Sequence, residues 1–183
     1  MESSGKNSRA SCKNKENEQS YAIVGGSQGA GRINKAMISV IRAMNGRSDV
    51  SIVLGAGSYY YDGILESFRE EGFEPAENIR IIEYIDDMAS YLAAADLVVS
   101  RSGALTVAET TVSGRPAIFI PSPMVTGNHQ YYNALAVAEA GGAIIIEEKD
   151  LEDAKLIAQI EQLREDPEAL ARMAAASRAR GPD

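Results

Sequence analysis

The sequence predicts an α/β domain: a doubly wound parallel sheet of about six strands with helices on both faces. Three observations lead there. Short apolar runs recur from Tyr21 onward, at Tyr21–Val24, Val50–Leu54, Ile79–Ile82, Leu97–Val99, Ala117–Ile120 and Ala143–Ile146. Each is followed by a stretch with helical spacing or by a glycine- or proline-bearing loop that leads into one. Short apolar strands alternating with helices call for parallel pairing, because a parallel sheet needs cover on both faces.

The elements follow in order. Glycines after Val24 turn the chain into a helix from about Gly29 to Met44. Helices are expected at Ser58–Glu71, Met88–Ala94, Ala104–Val112 and Gln130–Ala140. The tail from Leu151 to about Ala179 reads as two helices broken at Asp166-Pro167, since proline tolerates a helix start but not its interior. Right-handed crossovers favour the strand order 3-2-1-4-5-6, with ligands bound beyond the carboxyl ends of the strands. Residues 1–20 carry almost no large apolar side chains and read as a disordered tail or linker remnant. The folded domain is expected over residues 21–183.

Composition narrows the function. A chain of 183 residues, 45% hydrophobic and 24% charged, has room for one soluble domain with a sizeable core. A net charge of -8 argues against a nucleic-acid binder, which needs a basic face to displace counterions. Nothing approaches the roughly 20 apolar residues that span a bilayer, and no signal peptide is visible. Cys12 is the single cysteine and His129 the single histidine, which excludes an internal disulfide and a multi-histidine metal site. A reducing, cytoplasmic compartment follows.

Four loops could carry chemistry. Gly25-Gly26-Ser27-Gln28-Gly29 opens the first helix, where free N–H groups and a partial positive charge suit phosphate. The run matches neither the dinucleotide fingerprint nor a P-loop, and a tight strand-to-helix turn explains it equally well. Ser100–Glu109 follows the fourth strand. Gly103 and Ala104 leave a helix end sterically open, and Thr106 and Glu109 share one helix face. A hydroxyl near that end and a carboxylate one turn deeper suit a nucleoside diphosphate. Equally, Ser102 could cap the helix and Glu109 could be a solvated charge. In Pro121–Gln130, the side chains of Asn128, His129 and Gln130 both donate and accept, as sugar hydroxyls require. A helix-capping loop with a backbone-satisfied His129 is the plainer alternative. Asp86 and Asp87 are adjacent, point apart and read as helix capping rather than as metal ligands. Gly55-Ala56-Gly57 reads as a turn.

Together these loops resemble the MurG family, glycosyltransferase family 28, in its C-terminal donor-binding domain. The matching segments are GGSQGA at Gly25–Ala30, YIDDM at Tyr84–Met88, SRSGALTVAE at Ser100–Glu109 and NHQYYNA at Asn128–Ala134. The resemblance implies one half of a GT-B fold that binds UDP-N-acetylglucosamine. It implies a phosphate loop of Gly25, Gly26, Gln28 and Gly29 with Ser27 near the phosphates, and a backbone contact from Ile85 to uracil. Ala104, Leu105, Thr106, Val107 and Ala108 would present the helix end to the diphosphate, with Arg101 favouring it. Glu109 would hold the ribose, and Gln130, with His129 beside it, would meet the sugar.

The family transfers the sugar with inversion to lipid I and needs no metal or other cofactor. The acceptor site, the general base and the membrane-facing patch belong to an N-terminal domain absent here, so the whole enzyme would sit peripherally on the cytoplasmic face of the membrane. No catalytic residue is identified in this chain, and it is expected to be inactive alone. Gly127 departs from the polar or acidic residue of many relatives, and the chain stops at ARGPD where relatives continue into another helix. A subunit of a two-chain lipid-linked N-acetylglucosaminyltransferase and a non-catalytic nucleotide-sugar-binding module are the alternatives.

Overall fold

The computed structural model describes the backbone of residues 21–26 and the whole of residues 30–181. The tail 1–20 and the loop residues Ser27, Gln28 and Gly29 lie outside the described residues. The chain divides into two compact units that meet in sequence between Ala95 and Asp96.

The first unit holds β1 (Tyr21–Gly26), α1 (Gly31–Met44), β2 (Val50–Gly55), α2 (Ser58–Glu70), β3 (Ile79–Ile82) and α3 (Met88–Ala94). Its strands pair in parallel in the run β3-β2-β1, with Tyr21 opposite Val50 and Ile52 opposite Ile79. Strand β1 extends past Val24 because Gly25 and Gly26 continue the ladder against Leu54 and Gly55. Helix α1 buries Ile33, Ala36, Met37, Val40, Ile41 and Met44, the stripe its sequence spacing demands. Two asparagines tie loops to this core. Asn34 donates from Nδ2 to the carbonyl of Ala56 at 2.8 Å. Asn78 donates to the carbonyls of Met44 and Val50 and accepts from the Gly46 N–H, so one buried amide fixes the α1-to-β2 connection against the start of β3.

The second unit holds β4 (Leu97–Ser100), α4 (Ala104–Val112), β5 (Ala117–Phe119), α5 (His129–Glu139), β6 (Ala143–Ile145), α6 (Asp153–Arg164) and α7 (Pro167–Arg178). The strands pair in parallel as β4-β5-β6, with Val98 opposite Ala117 and Ile118 opposite Ile144. The two units thus reproduce the runs 3-2-1 and 4-5-6 of the expected order. Leu97, Val99, Ile118, Phe119, Ile120, Leu156 and Ile160 form a core with essentially no solvent exposure. The break between α6 and α7 falls where the sequence places it: Asp166 caps α7 by accepting from the Ala169 N–H, and Pro167 follows in the first turn. Single 3-10 turns at Thr126–Asn128 and Glu148–Asp150 were not foreseen.

Helix α7 docks with its backbone against the turn that precedes β6. A β-carbon on Gly142 would lie 2.7 Å from both N and Cα of Ser177, atoms that cannot swing aside. Gly142→Ala is therefore expected to destabilise the chain by about 1–3 kcal/mol, the usual cost of overpacking. A lowered urea-unfolding midpoint at unchanged slope would show it; an unchanged midpoint would mean that α7 can shift at no cost.

Candidate functional site

In the second unit, three loops are laced together at the carboxyl ends of the strands. The segment after β4 begins the lacing. Arg101 is largely buried, and its Nη1 donates to the carbonyls of Ile120 and Pro121, both at 3.1 Å. Its Nη2 pairs with the carboxylate of Glu148, just beyond β6. One planar guanidinium thus joins the loops that follow β4, β5 and β6, a task suited to its fixed fork of donors. The sequence resemblance aims Arg101 at a diphosphate. In the structure the guanidinium lies against two carbonyls and a carboxylate of the neighbouring loops.

Of the two readings of Ser102, the capping one is not realised. The N-cap of α4 is Gly103, in extended conformation, and no side chain caps the helix. The Ser102 hydroxyl donates instead to the carbonyl of Gln130 at 2.7 Å, while the Ser102 carbonyl accepts from Asn133 Nδ2 at 3.1 Å. Gln130 in turn accepts at Oε1 from the Ser122 N–H at 2.9 Å, which holds the loop after β5. Sequence reasoning missed this role because a serine before a helix ordinarily caps it. The neighbouring Gly103 was the available signal, since glycine is itself an acceptable N-cap.

The open end of α4 presents Ala104 and Leu105 to solvent, Leu105 at 73% exposure. Ala108 is also exposed, whereas Thr106, Val107 and Glu109 are half-buried. The hydroxyls of Thr110 and Thr111 are spent on helix carbonyls one turn back. No hydrogen bond or ion pair to a described residue engages Thr106 Oγ1 or the Glu109 carboxylate. Uncapped N–H groups, a hydroxyl and a carboxylate therefore lie along the first two turns of one helix. His129 is exposed at the first position of α5. It follows two residues in left-handed conformation, Gly127 (φ 67°) and Asn128 (φ 55°). A β-carbon on Gly127 would sit 3.2 Å from His129 Nε2, so glycine here spares both backbone strain and a close ring contact.

Cavity size does not select the site. The depression with the larger volume, about 500 Å³, lies among Ile144, Glu147, Lys155 and Gln159 and includes none of the expected residues. A groove of about 390 Å³ runs between α4 and α5 and is lined by Ala104, Val107, Ala108 and Tyr132.

In the first unit, Ile85 packs against the end of β2. A β-carbon on Gly55 would come within 3.0 Å of its side chain. Gly57 (φ 80°) then turns the chain into α2. Asp87 caps α3 by accepting from the Ser90 N–H, as the capping reading required. Gly25 and Gly26 close β1, while Ser27, Gln28 and Gly29 lie outside the described residues.

A family model described as the glycosyltransferase family 28 C-terminal domain matches residues 21–182. The chain belongs to that family. It is 43% identical over 160 residues to the UDP-N-acetylglucosamine–N-acetylmuramyl-(pentapeptide) pyrophosphoryl-undecaprenol N-acetylglucosamine transferase of Desulfitobacterium hafniense, covering 87% of this chain and 43% of that protein. It is 44% identical over 161 residues to the enzyme of the same name from Leuconostoc citreum, covering 88% of this chain and 43% of the relative. The chain therefore spans less than half the length of these relatives. Among solved structures, Acinetobacter baumannii MurG superposes with a TM-score of 0.74 at 25% identity, over 97% of this chain and 49% of that one.

The inward guanidinium yields a stability test. Arg101→Lys supplies one compact charge that cannot reach two carbonyls and Glu148 together. A loss of about 1–2 kcal/mol is expected, from acceptors left unsatisfied. Limited proteolysis should then cut faster between residues 121 and 128. Wild-type stability and cleavage in Arg101→Lys would show that the lacing is dispensable.

Proposed function

We propose that this family 28 domain binds UDP-N-acetylglucosamine as the donor half of an inverting N-acetylglucosaminyltransferase. The observation that carries the reading is the helix α4 end: no described side chain caps it, and Thr106 and Glu109, whose carboxylate pairs with no described residue, follow on one face. Uncapped N–H groups favour an anion. They supply fixed donors where charge develops on a departing diphosphate, which is electrostatic catalysis without a metal. Glu109 would accept from the ribose hydroxyls. Gln130 would reach the sugar, with His129 beside it, and Ile85 would meet uracil through its backbone. Ser27 and the glycines around it would attend the phosphates. Arg101 would act by holding the loop after β5, not by touching phosphate.

The remaining chemistry is a single displacement in which an acceptor hydroxyl attacks the anomeric carbon as UDP leaves. In this reading the acceptor is lipid I and the product lipid II, a step of peptidoglycan synthesis. The acceptor site and general base would come from the part that the longer relatives carry, and this chain alone would not turn over. Among the described residues no helix is long and apolar enough to cross a membrane. In this reading the complete enzyme would meet its lipid-linked acceptor peripherally, at the cytoplasmic face of the membrane.

Calorimetric titration tests the site. UDP-N-acetylglucosamine and UDP should both bind. Glu109→Ala should weaken both by about tenfold or more, since it removes hydrogen bonds to a charged group. Gln130→Ala should weaken only the sugar nucleotide. A folded wild-type chain that binds no UDP compound would sink the proposal.

A further inference from the structure

Ser102 is fully buried at 0% exposure, yet it caps nothing. Its Oγ bond to the Gln130 carbonyl and the Asn133 bond to its own carbonyl join the entry of α4 to the first turns of α5. Gln130 is therefore held at its main chain by one loop and at its side chain by another, through the Ser122 N–H on Oε1. That second bond also decides the carboxamide's orientation. A backbone N–H requires an acceptor, so the oxygen faces Ser122 and the nitrogen faces away. Gln130 Nε2 makes no hydrogen bond to a described residue. What this side chain offers a ligand is N–H donors, with its oxygen already engaged.

We propose that Ser102 is a positioning residue for sugar recognition: by fixing the Gln130 main chain, it lets Nε2 donate to a hydroxyl oxygen of the donor sugar. The inference rests on the nucleotide-sugar reading above and narrows it. The sugar contact is made by a hydroxyl acting as acceptor, and its precision depends on a buried serine that touches no ligand. A merely structural serine would affect the whole α4 end, and with it the diphosphate. A positioning serine affects the sugar alone.

The 183-residue chain, titrated with UDP-N-acetylglucosamine and with UDP, separates these cases. Ser102→Ala should weaken the sugar nucleotide about fivefold, the scale of one hydrogen bond, while UDP changes by less than about twofold. Combined with Gln130→Ala it should cause no loss beyond that of Gln130→Ala alone, because the two act through one contact. Gln130→Glu keeps an oxygen but removes the donor, and should bind the sugar nucleotide no better than Gln130→Ala. Equal losses for both ligands, no loss for either, multiplying losses in the double variant, or wild-type binding by Gln130→Glu would each overturn the inference. Should Ser102→Ala fail to fold by circular dichroism, Ser102→Cys is near in size and a much weaker donor, and the same ligand-selective loss is expected of it. A wild-type chain that binds neither ligand overturns the donor-site reading and this inference with it. Failure of the positioning role alone leaves wild-type binding intact.

Discussion

Arg101 sits where three strands end, and its charge faces the protein. The carbonyls of Ile120 and Pro121 and the carboxylate of Glu148 converge on one guanidinium. Loops beyond a parallel sheet have no ladder to hold them, and their backbone groups need partners from side chains or water. Here the partners are arginine, serine, glutamine and asparagine, each bridging one loop to the next. The open end of α4 can stay uncapped because the residues around it are fixed by other means. Were Ser102 the cap, its hydroxyl would compete with any anion for the same N–H groups.

The proposed site would have an acidic chain hold an acidic ligand. With a net charge of -8, the molecule offers a diphosphate no broad electrostatic attraction. Arg101 is spent internally. The remaining source of positive potential on α4 is its own backbone, whose N–H groups carry about half a unit charge and act within the first turn. Such a field is local and directional. It would reward a phosphate placed on the helix axis and give little to an anion elsewhere, so selection there would rest on position and not on bulk charge.

Much of this was legible in the sequence. Strands β2 and β4 are apolar runs buried along their length, and α1 shows its buried stripe as a simple spacing of Ile33, Met37, Val40 and Met44. Asp166-Pro167 marks a helix start by proline's own geometry. The candidate residues at the α4 end were also readable, since Gly103, Thr106 and Glu109 owe their placement to helical spacing. The directions of Arg101 and Ser102 were not. Both depend on partners far along the chain, at Ile120, Pro121, Gln130 and Glu148. Local pattern allows a serine before a helix to cap it, and the family resemblance alone aims the arginine beside it at phosphate. Only the folded positions of β5 and α5 reveal the carbonyls that claim both.

Half-buried positions on α4 and the laced positions beside it differ in what a substitution would cost. Glu109 and Thr106 occupy positions where a substitution alters a surface and leaves the fold intact. Arg101 and Ser102 occupy positions where the same loss leaves buried polar groups without partners, which costs stability. Gln130 belongs to both groups: its oxygen serves the loop and its nitrogen is available to a ligand. A substitution at Gln130 that leaves the loop in place would therefore have to preserve an acceptor for the Ser122 N–H. Few side chains of that length supply an acceptor inward and a donor outward together. A carboxamide does so within one planar group, and the loop alone already demands the acceptor.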